Sequence, residues 1–273
     1  MMKEAIIVTK KRSPTWAALL SLIMPGLGHV YAGDFKKGLS LIGVEYGVII
    51  IAGVFGVLST FYGIASLIVV AIGFYVFVVI SSVRLALKNK EYQLQSYNRW
   101  YWYLAIFISV SVIVNVLFSS RGDILGYETY RIPAKSMEPT LQVGDFITVN
   151  TRYQQPKVGD IIVFLYPKDR SIPYVKRVAA VGNDTVSIHD GIVYRNDKPE
   201  NLLFVPESRR LRDFSISMDE RHVPEKELFL LGDWRDNSND SRFWGTVPVT
   251  DVIGKVTYIW FSKDANRIGK AVE

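Results

Sequence analysis

A serine hydroxyl becomes a useful nucleophile only when a base takes its proton. In this 273-residue chain, Ser136 stands in the run Pro133-Ala134-Lys135-Ser136-Met137-Glu138-Pro139-Thr140-Leu141. Histidine is the usual base, but His29, His189 and His222 are scattered, and none sits in a block that suggests such a pairing. A lysine serves instead where burial holds it neutral, because a low dielectric disfavours the ammonium form. Lys176 has Tyr174, Val175, Val178, Ala179, Ala180 and Val181 around it. A lysine facing inward from such a strand is costly to keep charged, which is a physical reason to expect a Ser-Lys pair. A third run, Gly232-Asp233-Trp234-Arg235-Asp236-Asn237-Ser238-Asn239-Asp240-Ser241-Arg242, gathers carboxylates, guanidinium groups and two hydroxyls. A serine just beyond a long apolar segment, with a lysine in a downstream apolar strand, points to hydrolytic chemistry at a membrane surface.

Short strands and turns must carry these residues. Phe146 to Asn150, Asp160 to Leu165, Val175 to Val181, Thr185 to Ile188, Ile192 to Arg195, Glu227 to Leu231 and Val256 to Phe261 read as β. His189-Asp190-Gly191 is a hairpin signal. Gly144-Asp145, Val158-Gly159-Asp160 and Gly182-Asn183-Asp184 mark further turns. Residues 196–226 are polar and aperiodic and read as an inserted loop or small subdomain. The expected division is a membrane-embedded helical region over 1–120 and an all-β, extracytoplasmic catalytic domain over 121–273.

Hydrophobic residues make up 49% of the chain and charged residues 21%. The two figures fit if the halves differ, and most apolar length does lie before residue 120. A span needs about 20 mostly apolar residues. Leu39 to Leu58, Ile64 to Val83 and Tyr101 to Phe118 qualify, whereas Trp16 to Tyr31 is short and interrupted by Pro25, Gly26 and Gly28. The basic residues Lys3, Lys10, Lys11, Arg12, Lys36, Lys37, Arg84, Lys88, Lys90 and Arg99 flank these segments. By the positive-inside rule they are cytoplasmic. That holds for both N-terminal clusters only if Trp16 to Tyr31 enters and returns, giving three spans plus a re-entrant segment. Four spans with the N-terminus outside is the alternative. The run from Trp100 to Tyr103 suits an interfacial anchor. The glycine-rich stretch from Pro25 to Gly38 resembles a small bacterial membrane module; it reads as glycine-mediated helix packing or as a partner or lipid contact.

The formal net charge of +6 follows from this flanking pattern, so no nucleic-acid binding is expected. The absence of cysteine excludes disulfides, thiolate nucleophiles and thiolate-bound zinc. No metal-ligand spacing is visible, and no cofactor is expected.

The three blocks, in this order and after a span, resemble the type I signal peptidases, or leader peptidases. The resemblance runs over about residues 120–262 and is weakest at 196–226. It implies that Ser136 is the nucleophile, that Lys176 is the general base, and that Ser238 orients the lysine. It also implies that Asp233, Arg235, Asp240 and Arg242 brace the site, and that Ile132, Met137, Leu141 and Val175 line shallow pockets for small side chains. The expected enzyme is a membrane-bound serine endopeptidase of the bacterial cytoplasmic membrane. It would cut signal peptides from exported precursors at small-x-small sites through an acyl-enzyme, and its partners would be those precursors, the lipid bilayer and, by proximity, the secretion machinery. The substrate would pair, extended, with a strand edge near residues 130–135.

Three positions depart from the family pattern. Ala134 stands where some members carry a hydroxyl that helps hold the oxyanion. Trp234 stands where asparagine is common, and Gly182-Asn183 where proline-glycine is common. Lys135 beside the nucleophile reads as a solvated charge or as an influence on substrate choice. Two other readings stay open: a self-cleaving Ser-Lys protein like the repressors of the DNA-damage response, and a non-catalytic membrane scaffold or chaperone whose working part is the N-terminal module.

Overall fold

The structure is a computed structural model and describes residues 9–272. Lys3, one of the flanking basic residues, lies outside them. The chain divides into two compact units, one of residues 9–58 and 62–125, the other of 59–61 and 126–272.

The first unit is helical. Helix α1 (Pro14–Ile23) starts at Ser13, whose side chain accepts the Trp16 N–H. It stops at Met24, which is extended because a residue before proline avoids the helical region. Helix α2 (Leu27–Ala32) follows. Ten residues rise only about 15 Å, so neither helix crosses a bilayer on its own. Within this unit α2 is buried on all sides. A Cβ added at Gly28 would come within 2.1 Å of the Ala17 carbonyl oxygen. Asn89 and Asn98 donate to the Ala32 and Val30 carbonyls at its C-terminal end. Close helix packing therefore accounts for the glycines.

Helices α3 (Phe35–Val54), α4 (Phe61–Lys88) and α5 (Trp100–Ser119) are each long and apolar enough to cross a membrane. They overlap the three expected spans. Helix α3 begins earlier than expected because Asp34 caps it, its carboxylate accepting the Lys37 N–H at 3.0 Å. Large apolar side chains such as Ile68, Val69, Ile72 and Ile113 are exposed on these helices. Strands β1 (Thr9–Lys10) and β2 (Tyr92–Gln93) pair with each other, and a short helix α6 (Arg121–Leu125) ends the unit.

The second unit is β-rich. Its seven-stranded antiparallel sheet contains β3 (Tyr127–Arg131), β4 (Phe146–Asn150), β5 (Ile161–Tyr166), β6 (Asp169–Val181), β11 (Glu227–Leu231), β12 (Val247–Pro248) and β13 (Val252–Phe261). The order across the sheet is β12-β11-β6-β5-β13-β4-β3. A second sheet, β10-β7-β8-β9, contains β7 (Thr185–His189), β8 (Ile192–Arg195), β9 (Lys198–Pro199) and β10 (Met218–His222). Asp190 and Gly191 form the two-residue turn between β7 and β8. Two short helices, α7 (Asp213–Ile216) and α8 (Ser241–Trp244), complete the unit.

The segment 196–226 is thus not only loop, because it supplies both flanking strands of the second sheet. Strand β10 gave no periodic signal because only Met218 of its five residues is buried. One apolar cluster gathers Ile132, Met137, Leu141, Ile147 and Val163. Another packs Phe229 and Leu231 against Ala179, Val186 and Ile188. Phe229 is fully buried, so Phe229→Ala is expected to destabilise this unit by about 3–5 kcal/mol. A lowered midpoint of its denaturant-induced unfolding in detergent would register the loss.

Candidate active site

Strand β6 pairs with β5 so that Ile162 faces Lys176 and Ile161 faces Arg177. Alternation along the strand sends these two cations to opposite faces of the sheet. Lys176 lines a cleft of about 800 Å³ together with Ser136 and Ser238. Arg177 lines a separate cavity, with Gly159 and Asp233.

A single 3₁₀ turn, Lys135–Met137, presents Ser136. The Glu138 N–H donates to the Lys135 carbonyl across it at 2.9 Å. Lys176 Nζ lies 2.9 Å from Ser136 Oγ and donates to the Val175 carbonyl at 2.9 Å. Lys176 is 4% exposed. Burial pulls its pKa down to about 8, although Asp240 and Asp233 act in the opposite sense.

Those two carboxylates are engaged elsewhere. Arg177 donates to both Asp233 oxygens, Nε at 2.9 Å and Nη2 at 2.8 Å, and the Thr140 hydroxyl donates to Asp233 at 2.5 Å. Arg242 donates to both Asp240 oxygens, Nε at 2.8 Å and Nη2 at 2.9 Å. Asp240 also accepts the Gly232 N–H at 3.0 Å. Arg235 is 2% exposed and donates to the Gly232 and Leu203 carbonyls. Its own pKa is drawn down to about 10 by burial.

Ile132, Met137 and Val175 line the cleft. Leu141, grouped with them by the family resemblance, is fully buried in the core cluster and is not among the residues that line the cleft. Ser238 lines the cleft and is 6% exposed, yet its Oγ has no hydrogen-bond partner among the described residues. Two further features carry no signal of their own in the sequence. Asp236, Asn239 and Phe243 extend the cleft wall, and the opposite rim carries Ile172 and Pro173 from the first half of β6. Among the described residues, no group of three or more His, Asp or Glu side chains is placed to hold a metal ion.

Gly232 stands at a point of close approach. A Cβ there would lie 2.1 Å from Ser238 Oγ and 2.6 Å from the Ser136 carbonyl oxygen. Gly232→Ala is expected to lower stability by about 1–3 kcal/mol through overpacking, measured as a fall in the thermal unfolding midpoint.

Residues 99–261 match the family model described as signal peptidase, peptidase S26. The chain is 36% identical over 149 residues to the probable signal peptidase I-1 of Synechocystis sp., covering 51% of this chain and 72% of that protein. It is 33% identical over 194 residues to signal peptidase I of Aquifex aeolicus, covering 50% of this chain and 76% of that protein. A crystal structure of a signal peptidase I from Enterococcus faecalis matches at 28% identity over 38% of this chain and 99% of that one, with a TM-score of 0.31. With its Ser136, Lys176 and Gly232–Arg242 blocks all inside a family match that spans more than half its length, the chain belongs to the peptidase S26 family of signal peptidases.

Proposed function

We propose that this protein is a membrane-anchored serine endopeptidase that removes signal peptides from exported precursors, with Ser136 as nucleophile and Lys176 as general base. The observation that carries the reading is the 2.9 Å approach of a buried lysine amine to a serine hydroxyl at the wall of an open cleft. Neutral Lys176 takes the Ser136 proton as Oγ attacks the scissile carbonyl. The resulting ammonium passes that proton to the departing amine, leaving an acyl-enzyme on Ser136. Lys176 then activates water to release the product. With alanine at 134, the oxyanion rests on the Ser136 backbone N–H.

Ser238 keeps the role that the family resemblance implies, by a specific route. Once Ser136 Oγ is acylated it is no longer a hydroxyl, and the unpartnered Ser238 Oγ becomes the group that holds Nζ. Asp233, Arg235, Asp240 and Arg242 brace the block that carries Ser238.

Strand β3 supports the substrate reading because it stands last in the order of the seven-stranded sheet, beside the cleft. The cleft runs between residues 130–134 and 172–175. An extended peptide laid along that strand would place alternate side chains against Ile132, Met137 and Val175. The three long apolar helices supply a membrane anchor. The flanking lysines and arginines orient that anchor so that the β-rich unit lies on the extracytoplasmic face of the bacterial cytoplasmic membrane, close to where the secretion machinery delivers its precursors.

Purified protein in detergent is expected to cut a precursor carrying an Ala-x-Ala site at that site. Ser136→Ala and Lys176→Ala should each lower kcat/KM by roughly 1,000-fold or more. Cleavage at wild-type rate by both variants would overturn the dyad, and an inert wild type on several precursors would overturn the peptidase reading.

The pH dependence has a definite sign. The active form is the neutral amine, so protonation removes activity. The rate kcat/KM should rise with pH, tenfold per unit, and level off above about 8. A profile flat from pH 6 to 9 would contradict it.

A further inference from the structure

Trp234 stands where asparagine is common, and the structure gives it a partner from the inserted segment. The Arg209 guanidinium stacks on the Trp234 indole, with its central carbon 4.1 Å from the ring centroid. A planar guanidinium on an aromatic face is a favourable arrangement that lysine does not reproduce. The same guanidinium lies 3.6 Å from the Glu138 carboxylate, within ion-pair range.

Both contacts converge on the nucleophile turn. The Trp234 backbone N–H donates to the Ser136 carbonyl at 3.0 Å. Glu138 closes the 3₁₀ turn through its own N–H. Arg209 thus stacks on the residue that pins the Ser136 carbonyl and lies within ion-pair range, without a hydrogen bond, of the residue that ends the turn.

Arg209 is itself held in place. It ends the 3₁₀ turn Glu207–Arg209 within the inserted segment. The Leu211 and Arg212 N–H groups donate to the Asp236 carboxylate at 2.8 and 3.0 Å, so the segment is fastened to the cleft wall just beyond Arg209.

We propose that Arg209 is a positioning residue for Ser136: the inserted segment uses it to hold the nucleophile turn through Trp234 and Glu138. With alanine at 134, no side-chain hydroxyl there shares the oxyanion. The charge then depends on a turn whose backbone direction is fixed, and a small tilt of that turn moves both the Oγ and the N–H donor. The catalytic half of this inference rests on the serine-peptidase reading; the structural half does not.

The test uses two readouts on the full-length protein in detergent, with wild type, Arg209→Ala, Arg209→Lys, Trp234→Ala and the Arg209→Ala/Trp234→Ala double variant. The first is amide hydrogen exchange of peptides covering 135–139 and 233–236, read by mass spectrometry. The second is kcat and KM on an Ala-x-Ala precursor. Arg209→Ala is expected to speed exchange in both peptides about tenfold. It should lower kcat about tenfold with KM nearly unchanged, a modest fraction of the ~100-fold that a one-ångström misplacement can cost. Arg209→Lys, which keeps a cation near Glu138 but loses the planar stack, should recover part of both. The double variant should be no worse than the more affected single one.

Arg210→Ala is the control. Arg210 donates to the Asp190 carbonyl and lies over the Phe204 ring, neither of which is part of the nucleophile turn, so its loss should leave kcat within about twofold of wild type. Unchanged exchange in Arg209→Ala would overturn the proposal whatever the activity. Faster exchange with unchanged kcat, additive effects in the double variant, or an equal fall in kcat for Arg210→Ala would also overturn it. An inert wild type would count against the peptidase reading alone, and the exchange data would still decide whether Arg209 holds the turn.

Discussion

A lysine amine that must be neutral near physiological pH needs two things at once: removal from water, and no carboxylate free to stabilise its charge. The site meets both. Lys176 is buried in strand β6, while the two carboxylates that act on its charge are each clasped by an arginine fork, Asp233 by Arg177 and Asp240 by Arg242. Fully occupied in this way, they favour the ammonium too weakly to offset burial. The arginines are therefore part of the reason the lysine can act as a base. Removing Arg242 would leave Asp240 without its guanidinium and, because that cation itself disfavours the ammonium, push Lys176 back toward its charged form.

Sheet register sets this division of labour. Lys176 and Arg177 are consecutive, and the pleat sends one to the open cleft and the other to Asp233 on the far face. A slip of one residue against β5 would exchange them. Ile161 and Ile162 are fully buried in different apolar clusters, as are Val178 and Phe229, so that slip would force these clusters to repack. Gly232 lets the polar block approach the nucleophile turn within a distance that no side chain would allow. The apolar core thus fixes the strand, the strand fixes the pair, and the polar block fixes the charges around it.

The chemistry was legible in the sequence where it depended on local surroundings. Lys176 inside an apolar strand reads as a costly charge, and the structure puts its amine beside Ser136. Pro25 reads as a helix break, and α1 stops at the residue before it. Less legible were features whose signal lies in another part of the chain. Strand β10 looks polar because it exposes four of its five side chains, so its pairing with β7 appears only in three dimensions. The resemblance gives Leu141 a pocket role, but it packs into the core. The stack of Arg209 on Trp234 joins two segments that no periodicity relates. The resemblance to signal peptidases supplied a role for Ser238, whereas the structure supplies an unpartnered hydroxyl at the cleft wall.

The central claim is that Lys176 is poised to be neutral because it is buried and because its neighbouring carboxylates are taken. The direct test is the titration of its own amine. With lysine side chains labelled with ¹³C at Cε and ¹⁵N at Nζ in detergent-solubilised protein, and the resonance assigned by its loss in Lys176→Met, its midpoint can be followed across pH 6 to 11. The account predicts a midpoint of about 8. A midpoint near the ordinary lysine value of about 10.4 would mean that the amine remains charged in the resting protein, and the Ser-Lys mechanism would fall with it.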